Sequence, residues 1–174
     1  MKAVTIRIAV LALISMASAA AQYDSLSAPL QPAPERTLAA DFALRDLSGK
    51  TANLKQYRGK VVLLDFWATW CTGCKQEIPW FVEFQKKFGI KHFAVVGVSL
   101  DEDGWNVLRP FLKQHPVPYR MLLGDQATAQ NYGIENMPNT FLIDRRGRVA
   151  ASYIAGLVDR DNVQANLTAL LSEH

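Results

Sequence analysis

Residues 61–74, with the sequence VVLLDFWATWCTGC, decide the fold of this chain. Their first part, Val61–Trp67, is an apolar run typical of a buried strand, and Lys75–Phe88 has the apolar spacing of an amphipathic helix. Cys71 and Cys74, the only two cysteines, therefore stand where a strand passes into a helix. Because a helix N-terminus offers free N–H groups and a partial positive charge, this position stabilises a thiolate and favours redox chemistry.

A structural role for the cysteine pair is the less favoured interpretation. A disulfide between residues this close in sequence closes a very small loop, which removes little entropy from the unfolded chain. A structural zinc site needs four ligands, and the three histidines, His92, His115 and His174, have no ligand spacing. We therefore expect a redox disulfide between Cys71 and Cys74, no metal and no cofactor.

The N-terminus has the pattern of a signal peptide over residues 1–21. Two basic residues precede a short apolar stretch, and small residues follow it up to Ala21. The apolar stretch is short for a membrane span, which needs about 20 residues, so an uncleaved anchor is the alternative. Export places the cysteines in an oxidising compartment. Residues 22–40 contain three prolines and little periodicity, which predicts a flexible arm before a domain over 41–174.

The charge of the chain is nearly balanced, with 19 basic and 16 acidic residues. The balanced charge and the lack of a basic run give no positive electrostatic field that would attract nucleic acid. We therefore expect no nucleic acid as a partner. The length suits one domain with a substantial core, and we expect a monomer.

The order of the predicted elements indicates an α/β fold with a mixed sheet flanked by helices. A hairpin over 42–54 precedes the strand at 61–67, and a strand–helix–strand–helix order follows. Two strands, Asn139–Asp144 and Arg148–Ala155, are joined by a tight turn and should be antiparallel. A helix over 159–171 ends the domain, and a small strand–helix insert lies in its centre.

Two separated motifs resemble those of one family. The segment Asp65–Cys74 resembles the active-site strand of thioredoxin-fold proteins. Extended to Pro79, it is similar to the exported thioredoxin-like reductases of bacteria, which include the cytochrome c maturation proteins. The segment Asn136–Asp144 matches the second family signature, whose proline has a cis peptide bond. The resemblance covers nearly all of residues 41–171 and implies a thioredoxin fold and a periplasmic location.

The resemblance also implies how a substrate meets the cysteines. Cys71, at the helix start, is expected to be the exposed nucleophile, and Cys74 the more buried resolving thiol. The loop with Met137 and the cis Pro138 would face them, and the Met137 backbone would pair with an extended substrate segment. Trp70, Thr72 and Gly73 complete the expected substrate-binding residues.

Two acids are candidates for handling the proton of Cys74. Asp65 lies in an apolar strand, where loss of solvent should raise the pKa of its carboxyl. In thioredoxins the matching acid accepts the proton of the second cysteine. Glu77 follows Cys74 at one-turn spacing, and in cytochrome-maturation relatives the matching Glu tunes the pair. A solvated helix acid is the alternative for Glu77, and the sequence leaves open which acid transfers the proton.

The predicted function is a thiol-disulfide oxidoreductase that reduces disulfides of exported proteins, with apocytochrome c as one candidate substrate. By resemblance, a membrane electron donor of the thiol-relay type would reduce the Cys71–Cys74 disulfide again. One alternative is a thiol peroxidase of the peroxiredoxin type, although Leu64 and Ala68 stand where its Pro-x-x-x-Thr-x-x-Cys pattern needs Pro and Thr. The other is a non-catalytic thioredoxin-fold module that binds metal.

Overall fold

The structure is a computed structural model that describes residues 26–173, so the predicted signal peptide lies outside the described residues. Seven strands and four helices follow one another in the predicted order. The strands are β1 (Leu44–Asp46), β2 (Thr51–Ala52), β3 (Val61–Trp67), β4 (Phe93–Ser99), β5 (Arg120–Leu123), β6 (Asn139–Ile143) and β7 (Val149–Ile154). The helices are α1 (Thr72–Phe88), α2 (Trp105–Gln114), α3 (Gln126–Asn131) and α4 (Arg160–Ser172).

All seven strands form one mixed sheet in the order β2-β1-β5-β4-β3-β6-β7. The central strands β3, β4 and β5 are parallel, whereas β6 is antiparallel to β3 and β7 is antiparallel to β6. The predicted α/β class and mixed sheet are therefore confirmed. The N-terminal hairpin is present as β1 and β2, and the insert is β5 with α3.

Both faces of the sheet are covered, which explains why every residue of β3 is buried. On one face, Phe81 and Phe84 of α1 pack with Val163 and Leu167 of α4. Helix α2 lies on the same face near the end of β3 and contributes Leu108 to the cluster around Trp67. The opposite face is closed by the hairpin and by the residues that follow α3, where Tyr132 stacks on Phe66.

The expected flexible arm over residues 22–40 is wrong for its described part, residues 26–40. Leu26 forms an isolated bridge with Val158, and Ala28 is buried in the core. The Arg36 guanidinium, with a side chain only 2% exposed, forms ion pairs with Asp144 at 3.3 Å and with Glu173 at 2.7 Å. Apolar contacts and the ion pairs of Arg36 therefore fix this segment along the domain. No helix within residues 26–173 is long and apolar enough to cross a membrane.

Candidate active site

The two cysteines form a disulfide at the first turn of α1. Their sulfur atoms are 2.02 Å apart, and their Cα atoms 5.3 Å. Cys71 is the N-cap residue, and its Sγ accepts the backbone N–H of Cys74 at 3.1 Å. The sulfur of Cys71 thus lies where the free N–H groups of the helix converge, which favours its thiolate after reduction. Cys71 is 6% exposed and Cys74 1%, so the predicted order of exposure holds, although both residues are buried.

The backbone before the cysteines is held by a buried carboxylate in the next strand connection. Asp101 accepts the backbone N–H of Thr69 at 3.1 Å and its hydroxyl at 2.6 Å. The hydroxyl of Ser99 donates to the other oxygen of Asp101 at 2.7 Å. These bonds tie the end of β3 to the end of β4, and so fix the approach of the chain to Cys71.

A groove of about 420 Å³ opens beside Cys71 and is mainly apolar. All five residues predicted to bind substrate line this groove, and the Met137–Pro138 peptide bond is cis, as the family signature implies. Trp70 is 67% exposed at its rim. The groove residues are Trp70, Cys71, Thr72, Gly73, Gln76, Met137, Pro138, Ala155, Gly156 and Leu157.

The wall of the groove formed by residues 155–157 was missed in the sequence analysis. The backbone N–H of Ala155 donates to the side-chain oxygen of Asn139 at 2.9 Å, and the Asn139 amide donates to the carbonyl of Asn136. Asn139 thereby joins this wall to the Met137–Pro138 loop. The predicted antiparallel pairing of β6 and β7 was part of the signal for this wall. Because β6 is also antiparallel to β3, β7 runs parallel to β3, and its C-terminal end lies at the same end of the sheet as the cysteines.

Glu77 lies in the protein interior and is not the solvated helix acid that the sequence left as an alternative. It is 0% exposed, and its Oε1 accepts the backbone N–H of Val158 at 2.8 Å. Its Oε2 is buried and has no hydrogen-bond partner among the described residues. Burial raises the pKa of Glu77 to about 7, against the smaller, lowering effect of the Val158 N–H. The carboxyl is therefore able to change protonation state near neutral pH.

Asp65 is the second buried acid, in β3 close to Glu77. It is 1% exposed, and within residues 26–173 neither carboxyl oxygen has a hydrogen-bond partner. Burial raises the pKa of Asp65 well above its ordinary value, and the charge of Glu77 raises it further. The two carboxyls therefore titrate as a pair, in which a charge on one disfavours a charge on the other. Tyr119, which the sequence analysis missed as a site residue, belongs to the surroundings of Asp65. Its burial and the charge of Asp65 both raise the pKa of its phenol.

No group of three or more His, Cys, Asp or Glu side chains in residues 26–173 is placed to hold a metal ion.

Comparison with known proteins identifies the family. The model of the AhpC/TSA family matches residues 36–152. The chain belongs to the AhpC/TSA family. Within this family it is similar to the thiol-disulfide oxidoreductase ResA of Geobacillus thermodenitrificans, with 32% identity over 133 residues that cover 76% of this chain and 75% of ResA. It is also 31% identical to the thioredoxin-like protein YneN of Bacillus subtilis, over 72% of this chain and 75% of YneN.

A solved structure agrees with these relatives. A protein of Chlorobium tepidum that carries the name thiol:disulfide interchange protein DsbE matches with a TM-score of 0.73 and 36% identity. The match covers 79% of this chain and 97% of that protein. Together with the Cys71–Cys74 disulfide, these likenesses confirm the predicted class: this member of the AhpC/TSA family is a thiol-disulfide oxidoreductase with a thioredoxin fold.

Proposed function

We propose that this oxidoreductase reduces disulfides of exported proteins in the periplasm. The observation that carries the proposal is the Cys71–Cys74 disulfide, of which Cys71 alone lines the groove. In the reduced enzyme, the thiolate of Cys71 attacks one sulfur of a substrate disulfide. The substrate S–S bond breaks, its other sulfur leaves as a thiolate that takes up a proton, and a mixed disulfide forms.

Cys74 completes the cycle. Its thiolate attacks the Sγ of Cys71, so the bond to the substrate breaks and the second substrate sulfur leaves as a thiol after protonation. Two electrons have then passed from the cysteine pair to the substrate, and the enzyme is left with its own disulfide. A donor dithiol must reduce this disulfide again, and a membrane thiol relay fits an exported enzyme.

Glu77 is the better candidate for accepting the proton of Cys74. It lies one turn after Cys74 on α1, and its pKa of about 7 lets it be ionised and ready to accept a proton at neutral pH. Asp65 has a pKa raised by burial and by the charge of Glu77, so the pair favours a single negative charge at neutral pH.

The groove fits an extended, apolar segment on either side of a substrate cysteine. Met137 offers backbone groups beside the sulfurs, as in strand addition, and Trp70 and Leu157 offer apolar contact. An unfolded exported protein presents such a segment, and the haem-binding cysteine pair of an apocytochrome c is one candidate. The similarity to the thiol-disulfide oxidoreductase ResA and to the thiol:disulfide interchange protein named DsbE supports a disulfide as the reacting group of the substrate.

Trapping of mixed disulfides tests the proposal. Cys74→Ala lacks the resolving thiol, so it should accumulate disulfide-linked complexes with exported proteins through Cys71. Cys71→Ala is the matched control and should trap none. The wild type should reduce insulin, and its disulfide should have a lower reduction potential than glutathione. Absence of trapped partners together with failure to reduce insulin contradicts the proposal, and a potential above that of glutathione reverses its direction.

A further inference from the structure

The loop over residues 155–158 receives support from the N-terminal segment of the described chain. The backbone N–H of Leu26 donates to the carbonyl of Leu157 at 2.7 Å, and the N–H of Asp159 donates to the carbonyl of Leu26 at 2.9 Å. The Leu26 side chain also packs on Gly156, where an added Cβ would lie only 2.7 Å from its Cδ1. The close approach of Leu26 therefore leaves little room for a side chain at Gly156, and it fixes the loop from outside.

The same loop reaches the reacting atoms from its inner side. The Leu157 side chain lies across the spacer between the cysteines, because a Cβ at Gly73 would meet its Cδ2 at 3.4 Å. The next residue, Val158, donates its N–H to Glu77 at 2.8 Å. One short loop therefore connects Leu26 with the groove wall and with the proton acceptor.

The segment Leu26–Ala28, which we term the strap, is itself anchored to the start of α4. The Ser27 hydroxyl donates to Asp159 at 3.2 Å, and the Ala28 N–H donates to the side-chain oxygen of Asn162 at 3.1 Å. The Asn166 amide donates to the carbonyl of Ala28 at 2.9 Å. The strap thus has partners on α4 that do not depend on the loop.

The loop needs such support because its own backbone is not at a preferred conformation. Ala155 has a φ of +56°, in the left-handed region that residues other than glycine rarely adopt. Such a conformation persists where neighbouring contacts impose it, and these sites are often functional. Two sets of contacts impose this conformation on the groove wall. They are the contacts of Leu26 on one side and the hydrogen bond between Asn139 and Ala155 on the other.

We propose that Leu26 is a positioning residue for the oxidoreductase, which holds Leu157 in the substrate groove and the Val158 N–H on Glu77. The inference rests on the proposed function, because it treats the groove as the site for an extended protein substrate. Loss of the Leu26 contacts should let the loop move away from Gly73. An extended substrate then loses a wall of its site, whereas a small disulfide, which needs only Cys71, does not.

Two substitutions in the full chain test this role. Leu26→Ala removes the packing on Gly156, and Leu26→Pro removes the N–H that donates to Leu157. The KM for an oxidised peptide with apolar flanks should rise about fivefold in each, and for Leu26→Pro this is the effect of one ordinary hydrogen bond. The rate at which Cys71 forms a mixed disulfide with a small aromatic disulfide, a step that does not use Glu77, should stay within twofold. Leu26→Met keeps the apolar contact and should have the wild-type KM. Leu38→Ala is the matched control, because Leu38 is exposed and lies outside the strap, and it should not change the KM.

Amide hydrogen exchange gives a readout that does not depend on activity. The Val158 N–H should exchange about tenfold faster in Leu26→Pro than in the wild type, and at the wild-type rate in Leu38→Ala. If the wild type fails to reduce the peptide, the proposed function is wrong. The exchange rate of the Val158 N–H still shows in that case whether Leu26 positions the loop. Folded Leu26 variants with wild-type KM, or with wild-type exchange at Val158, overturn the role of Leu26.

Discussion

The buried carboxyl of Glu77 should make the enzyme less stable as the pH rises, and Glu77→Gln should remove this effect. Glutamine keeps a side-chain oxygen that accepts the Val158 N–H, which lies 2.8 Å from Glu77 Oε1. The substitution therefore changes the charge and the titration while leaving the shape and this hydrogen bond in place. Stability measured against pH therefore shows the part of the titration that depends on the Glu77 charge.

The sign and size follow from the raised pKa. Glu77 has a pKa of about 7 in the folded enzyme and an ordinary value of 4.5. Between these values the folded state holds a proton that the unfolded state has lost, so the free energy of unfolding falls as the pH rises. The contribution is fully present below pH 4.5 and is lost as the pH passes 7. Since one pKa unit corresponds to about 1.4 kcal/mol, the loss is roughly 3 kcal/mol.

Urea unfolding of both oxidised proteins from pH 4.5 to 8 measures this loss. Relative to the wild type, Glu77→Gln should gain roughly 3 kcal/mol over that range, a midpoint shift of about 1.5 M urea. Asp65 also destabilises the fold as the pH rises, and the Glu77 charge that raises its pKa is absent from the variant, so the difference between the two proteins reports on the coupled pair. At pH 7 the variant should also resolve mixed disulfides about 100-fold more slowly. Parallel stability curves would show that Glu77 titrates as an ordinary acid and would refute the reasoning.

Two further predictions concern the packing that supports the site. Arg36→Met should lower the free energy of unfolding by about 1–2 kcal/mol in urea titrations, because Glu173 loses its partner while Asp144 keeps its ion pair with Arg148 at 2.7 Å. Insulin reduction at 25 °C should be unchanged, and a variant as stable as the wild type would contradict the role of this ion pair. Gly97→Ala should cost about 1–3 kcal/mol, since its Cβ would lie 2.3 Å from Met121 Sδ. Adding Met121→Ala should then cost less than in the wild-type background, and simple additivity would exclude this clash.

The framework of the sheet could be predicted because its strongest signals are local. The apolar run of β3, the helical spacing of α1 and the tight turn between β6 and β7 each specify one element. The order of these elements then limits the topology, since parallel crossovers have one hand. The docking of residues 26–40 was missed because its partners are remote in sequence. Arg36 pairs with Asp144 and Glu173, and no local pattern indicates such contacts.

The site likewise contains residues that could be predicted from the sequence and contacts that could not. The residues around Cys71 and Pro138 lie in two sequence motifs, so the amino-acid sequence alone predicts that they share a site, and both motifs line one groove. The burial of Glu77 was also within reach, because Glu77, Phe81, Phe84 and Phe88 share the spacing of one helix face, and all four are buried. The contacts of Leu26 with the groove wall could not be predicted, since they depend on where β7 ends and on how the strap crosses α4.

The stability that Glu77 removes is linked to the proton transfer that the cycle needs. An ordinary thiol has a pKa of about 8.5, so its proton passes to a carboxyl of pKa 4.5 against roughly 5 kcal/mol. With Glu77 raised to about 7, the same transfer is uphill by only roughly 2 kcal/mol. The reduction of about 3 kcal/mol equals the loss of stability at neutral pH, because one shift in pKa produces both. A buried acid that weakens the fold is therefore the expected result where the resolving thiol needs a weak base one helical turn away.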